Sequence, residues 1–201
     1  KFLGSRRFLP SEDEEFDEED RVRWQERLDL LLVTILHKNY WPLVSMLQHP
    51  HLFEDKNVAV FGSMDPYFEC VALFLGAKKV TTFEYNQLTF DTDGDDIEVV
   101  TGDEYSALLH AAKMGSDEDS VDITPYQGTF DAVLSFSSFD HSGLGRYGDK
   151  ISPDADIEAM RFARTVTRPG GRLFLTLPSG PDVCVWNLHR RYGAVRLPLM
   201  L

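Results

Sequence analysis

Cysteine is nearly absent from this sequence: Cys70 and Cys184 are the only two, far apart and without a C-x-x-C spacing. That excludes a disulfide framework or a cysteine-rich zinc site and leans toward a reducing, non-secretory compartment. Long apolar runs are missing too. The longest, Leu28–Leu36, is interrupted by Asp29 and falls short of the roughly 20 residues a membrane helix needs. Residues 1–10 lack the apolar core of a signal peptide, and Lys stands at position 1 in place of Met, so a piece of a longer chain is expected. There is no G-x-S-x-G, no G-x-x-x-x-G-K-[S/T] and no H-E-x-x-H, which removes the common hydrolase, P-loop and zinc-protease chemistries. The histidines are scattered, and His49 with His51, flanking Pro50, reads as a turn; no metal site is expected.

Positive charge is also scarce. Lys and Arg total 20 against 33 Asp and Glu, a net charge of −13. Phosphate binding through counterion release requires clustered cations, so nucleic acid is not an expected partner. The acid is concentrated between Glu12 and Asp20 and again at Asp117–Asp119. Like charges packed this closely repel, so residues 1–20 read as an acidic extended leader, solvated or serving as a docking tail for a basic partner.

What is present suits one folded domain. Apolar residues make up 43% and aromatics 12% of 201 residues, ample for a single core. From Arg21 to Gln48 the apolar positions Val22, Leu28, Leu31, Leu32, Ile35 and Leu36 recur at helical steps, so residues 21–56 read as an N-terminal helical cap. Pro42 breaks or restarts that helix; Trp24, Tyr40 and Trp41 are expected to pack. From residue 57 short apolar strands alternate with helices: strands at Asn57–Phe61, Lys79–Glu84, Ile97–Thr101, Phe130–Phe136 and Arg172–Leu177, and helices at Tyr67–Leu75, Asp103–Met114 and Pro153–Val166. Gly76 is a natural helix C-cap, and Cys70 falls in an apolar helical pattern as a small buried side chain. Such alternation predicts a three-layer α/β sandwich with a mostly parallel sheet.

The order of these segments resembles the Rossmann-like core of class I S-adenosylmethionine-dependent methyltransferases over residues 57–178. Phe130–Phe136 is similar to that superfamily's fourth strand, and Arg168-Pro169-Gly170-Gly171-Arg172-Leu173 to the entry of its fifth. The stretch Ser135–Asp149, with Asn187–Gly193 and Arg196–Leu199, resembles a methyltransferase-like branch known as a domain of unknown function. In that superfamily two further strands follow the fifth. Here the run Val195–Leu199 is too short for such a hairpin, so we expect an incomplete sheet edge, with the 57–201 domain truncated or its edge covered by a protein partner.

The resemblance implies a ligand crevice beyond the carboxyl ends of the strands, where strand order reverses. In the first loop, Val60-Phe61-Gly62-Ser63-Met64-Asp65-Pro66, Gly62 is kept. Val60 stands at the acidic position, and Met64 and Pro66 replace later glycines; Ser63 and Asp65 could supply polar contacts instead. Glu84, directly after the second strand, matches the acid that accepts ribose hydroxyls, although a solvated loop-end Glu is the plainer alternative. Asp103 matches the acid that meets adenine, or is a helix N-cap. Ser135, at the end of the fourth strand, joins Gly62, Ser63, Asp65, Glu84 and Asp103 as a candidate cofactor contact.

Ser137–Asp149 is the densest polar stretch. His141 is the natural proton acceptor, with Asp140 beside it; Arg146 and Tyr147, with His189 and Arg190 further on, are candidate substrate contacts. A structural loop, and surface pairing of the arginines with the chain's own acids, are the alternatives. Two functions follow from the resemblance. One is methyl transfer from S-adenosylmethionine to a small-molecule or glycan-type acceptor; the other is a catalytically inactive methyltransferase-like scaffold within a larger protein assembly.

Overall fold

The computed structural model describes residues 41–88, 96–114 and 121–201. The acidic leader, the expected helix over residues 21–40 and the acids at 117–119 lie outside these. Helix α1 (Trp41–Gln48) precedes a 3-10 turn at Pro50–Leu52, and then strand and helix alternate. Strands β1 (Asn57–Phe61), β2 (Lys79–Glu84), β3 (Ile97–Thr101), β4 (Phe130–Phe136) and β5 (Thr167–Thr176) are interleaved with α2 (Tyr67–Phe74), α3 (Gly102–Met114) and α4 (Ala155–Val166).

All five strands pair in parallel in the order β3-β2-β1-β4-β5. Parallel strands lie inside, covered on both faces, and β1, β2 and β4 are accordingly buried along almost their whole length. The pleat divides β1 between two cores. Val58 and Val60 join Leu43 and Met46 of α1 and Val71 and Ala72 of α2. Ala59 and Phe61 face the other way, toward Tyr105 and Leu108 of α3 and Phe162 of α4, as the period of two requires. Phe61 and Phe83 stack at 5.0 Å, and Phe162 meets each of them edge-on. The three-layer α/β sandwich expected from the sequence is therefore the observed architecture. Strand order reverses between β1 and β4, and there the chain must leave a gap at the strand ends.

The boundaries of β1, β2, β3 and β4 coincide with the expected ones. Helix α2 ends in a Schellman turn: Gly76, at φ 89°, donates its amide to Leu73 O at 2.9 Å, and Ala77 donates to Ala72 O at 3.0 Å. Elsewhere the structure departs from expectation. The turn at Arg168–Gly171 is absorbed into β5, which pairs from Thr167 across a register shift at Phe130/Ala132. Trp41, expected to pack, is 73% exposed, and Cys70 is half-buried. The polar run after β5 is a two-stranded antiparallel ribbon of β6 (Val183–Val185) and β7 (His189–Arg191), followed by the short helix α5 (Leu197–Met200). The ribbon forms its own sheet, so β5 ends the main one among the described residues. No helix among the described residues is long and apolar enough to cross a membrane.

One buried acid fastens the ribbon to the sandwich. Asp156, in the first turn of α4, is fully buried and accepts from Tyr192 Oη at 3.0 Å and from Arg196 Nε at 2.8 Å. The buried guanidinium of Arg190 lies 3.8 Å from the same carboxylate and donates to the carbonyls of Ser142, Ser152 and Pro153. A buried guanidinium deprived of its counter-charge is costly. We therefore expect Asp156→Ala to destabilise the domain by about 3–5 kcal/mol in denaturant unfolding. A loss within the scatter of surface substitutions would contradict this anchoring.

Candidate functional site

At the end of β1 the chain turns through Gly62 at φ 77°, where a Cβ would lie 2.2 Å from Ser138 Oγ. Only glycine fits that backbone and that gap. The Gly62 amide donates to Phe83 O at 3.0 Å, and the Ser63 amide donates to Glu84 Oε2 at 2.9 Å. Glu84 Oε1 accepts from the Asn86 backbone amide at 3.0 Å and from its side-chain amide at 3.1 Å. The first loop is thereby tied to the end of β2. Ser63 Oγ donates to Asp65 O at 2.7 Å, closing a turn that leads into α2 through Pro66.

At the end of β4, Ser137 adopts φ 52°, a left-handed conformation uncommon outside glycine that often marks functional loops. It sends the chain across the strand ends into a 3-10 turn, Phe139–His141, whose Phe139 packs edge-on against Phe61 at 5.4 Å. The glycine-rich loop that follows is folded by Asp149, which accepts the amides of Gly145 and Tyr147 at 3.1 Å each.

Between these loops lies a crevice of about 280 Å3 at the switch point. Phe83, Glu84, Tyr85 and Tyr105 line it together with Gly62 and Ser63 of the first loop and Ser138, Tyr147 and Asp149 of the loop after β4. Met64 lies at the rim, 77% exposed, and does not plug it. No Lys or Arg is among the described lining residues. Burial first, and then the charges of Asp149 and Glu84, push the Tyr85 hydroxyl far above its ordinary pKa. Tyr105 is raised likewise, chiefly by burial.

The structure brings Gly62, Ser63, Glu84, His141 and Tyr147 together around this crevice. Ser135 and Asp140 are buried and do not line it; neither Ser135 Oγ nor Asp140 Oδ1 has a hydrogen-bond partner among the described residues. Asp65 and Asp103 are exposed and stand outside it. Arg146 is exposed with its guanidinium 5.6 Å from the centre of the Tyr147 ring. His189 meets the ring of His141 edge-on at 6.3 Å, and Arg190 is committed to the ribbon anchor.

Both nitrogens of His141 face protein acceptors. Nδ1 bonds the Leu188 carbonyl of the ribbon, and Nε2 lies 3.4 Å from Asp140 Oδ2. Burial raises the pKa of Asp140, opposed by His141 and then, after a backbone hydrogen bond, by His189 and Arg190. Both ring nitrogens of His141 are therefore turned toward protein atoms. Ser138 and Asp149 fall in the Ser137–Asp149 stretch that the sequence singles out, without a role of their own there, whereas Tyr85 and Tyr105 escaped it. The acid closing the glycine-rich run, and the Tyr following Glu84, were the available signals.

A further buried acid lies behind the first loop. Glu69 of α2 is fully buried; Thr82 Oγ1 donates to its Oε1 at 2.8 Å, and its Oε2 has no partner among the described residues. Burial raises its pKa above the ordinary 4.5, with smaller opposing contributions from its backbone hydrogen bond, Thr82 and Ser63, and the charge of Asp65 raises it further.

A parallel sheet with a switch-point crevice built by the loops after β1, β2 and β4 defines a Rossmann-like α/β domain. Within that class the chain belongs to the family described as Caenorhabditis protein of unknown function, DUF268, which matches residues 55–201. No curated protein matches it. Family and fold together leave the chemistry to be argued from the site.

Because folding favours the protonated form of Glu69, its contribution is fully present below pH 4.5 and is lost as pH rises through the raised value. Denaturant unfolding across pH should show stability falling in that window, with Glu69→Gln removing part of the slope. An unchanged slope would contradict the assignment.

Proposed function

We propose that the crevice binds S-adenosylmethionine and that the domain transfers its methyl group to a small-molecule or glycan-type acceptor. The observation that carries this reading is Glu84, placed at the carboxyl end of β2, lining the crevice beside Gly62 at the switch point. A carboxylate has about four lone-pair sites. The Ser63 amide takes one on Oε2 and Asn86 takes two on Oε1, which leaves one for a ribose hydroxyl. The rings of Phe83, Tyr85 and Tyr105 provide an apolar wall, and the Gly62–Ser63 backbone the close approach.

The residues present fit such a group at these points. They depart from it at Gly62, where Ser138 Oγ fills the space a side chain would take. When bound, the group supplies an electrophilic methyl on a cationic sulfur. The chain's own part is to hold and orient. With both His141 nitrogens turned toward protein atoms, alignment of acceptor and methyl, not general base catalysis, carries the rate. Asp65 and Asp103 have no part, since neither lines the crevice. Tyr147 at the rim, with Arg146 beside it, is the nearest contact for an acceptor.

A second reading, an inactive scaffold in a larger assembly, draws on different observations. Both His141 nitrogens are engaged, and the ribbon exposes Val183, Trp186 and Leu188, an apolar surface of the kind protein interfaces use. Calorimetry with S-adenosylmethionine and its demethylated product separates the two. The transferase reading expects saturable binding that weakens at least about tenfold in Glu84→Ala, the loss of a charge-assisted hydrogen bond. No binding at millimolar ligand would leave the scaffold.

A further inference from the structure

Two carboxylates line the crevice, and neither has a counter-charge among the described residues. Glu84 and Asp149 are each 6% exposed. Every hydrogen bond they accept comes from a neutral amide: Ser63 and Asn86 for Glu84, Gly145 and Tyr147 for Asp149. Among the described residues neither forms an ion pair, and no Lys or Arg lines the space between them. Asp156, by contrast, has Arg190 and Arg196, and Asp140 has His141. Glu69, likewise without a cation among the described residues, faces the Thr82 hydroxyl behind the first loop and does not line the crevice. Buried charges in folded proteins are ordinarily paired, so an unpaired couple facing one cavity leaves a positive charge to be supplied from outside.

The remaining lining says what kind of cation fits. Five aromatic residues, Phe83, Tyr85, Tyr105, Phe136 and Tyr147, are among those lining the crevice, and aromatic side chains attract cations that carry apolar shells. A hydrated metal ion gains little from such walls, and no group of residues able to hold a metal is found among those described. A ligand placing a phosphate at depth would meet both acids with no Lys or Arg among the described lining residues. We infer that the crevice selects its ligand by charge, taking an onium cation, a sulfonium or quaternary ammonium, between Glu84, Asp149 and the tyrosine rings. The inference concerns the same crevice as the transferase reading and rests on its being a ligand site, not on methyl transfer. Asp149 becomes a specificity-determining residue as well as the organiser of its loop. If the onium is S-adenosylmethionine, the same charge discriminates it from its neutral demethylated product, so that the spent group leaves.

Calorimetry of the 201-residue chain with choline, with its uncharged carbon isostere dimethylbutanol, and with S-adenosylmethionine and its demethylated product tests this. Choline should bind about tenfold more tightly than dimethylbutanol, the size of a desolvated cation–aromatic contact. The ratio should shrink toward unity in Asp149→Asn and Glu84→Gln. Should either variant fail to unfold cooperatively, the decline of the wild-type ratio with added salt serves in its place. Equal affinity for choline and dimethylbutanol, or no choline binding at millimolar concentration, overturns the inference. Equal affinity for S-adenosylmethionine and its product also overturns it, while leaving the transferase reading standing. Choline selectivity without any binding of the two adenosyl compounds sustains it and retires that reading.

Discussion

A single buried hydrogen bond, from the Ser63 amide to the Glu84 carboxylate at 2.9 Å, organises the carboxyl end of the sheet. It joins the loop after β1 to the end of β2, one residue beyond the bond from the Gly62 amide to Phe83 O at 3.0 Å. With that bond made, Gly62 is held under Ser138 and the mouth between β1 and β4 takes its shape. Amide-to-carboxylate bonds are stronger than neutral ones, and at 6% exposure the Glu84 end has little water to compete for it.

On the far side of the crevice the wall is set by a different device. Ser137 turns in a left-handed conformation, Phe139 inserts against Phe61, and His141 and Ser142 are tied through Leu188 and Arg190 to the ribbon. The ribbon is in turn fixed by Asp156. The crevice therefore has one wall belonging to the sheet and one depending on the chain's last elements. Its lining is acidic and aromatic, and both nitrogens of His141 are turned toward protein atoms.

Strand positions were legible because burial on both faces leaves a continuous apolar signature, as in N-V-A-V-F and F-D-A-V-L-S-F. Helix α2 was legible through the glycine that stops it. The ribbon was not: Val183–Val185 and His189–Arg191 are short, exposed and mixed in polarity, and their pairing is driven by a buried acid distant in sequence. The same reason hid the fate of Arg190. Glu84 and Gly62 could be placed from order alone, since strand ends fix them. Tyr147 was named from its glycine-rich stretch, but the meeting of Asp149 with Tyr85 and Tyr105 could not be placed, because it depends on how that loop folds back. Nothing in the spelling D-H-S reveals that both nitrogens of His141 turn toward protein.

Native-state hydrogen exchange at the Ser63 amide addresses the central claim most directly. That amide lies beyond the last ladder pair of β1, so its protection depends on Glu84 alone. The account predicts exchange as slow as the central strand amides of Val58–Phe61, through openings of comparable free energy. Exchange at the rate of exposed loop amides such as Gly148 would contradict a crevice held in place by that bond.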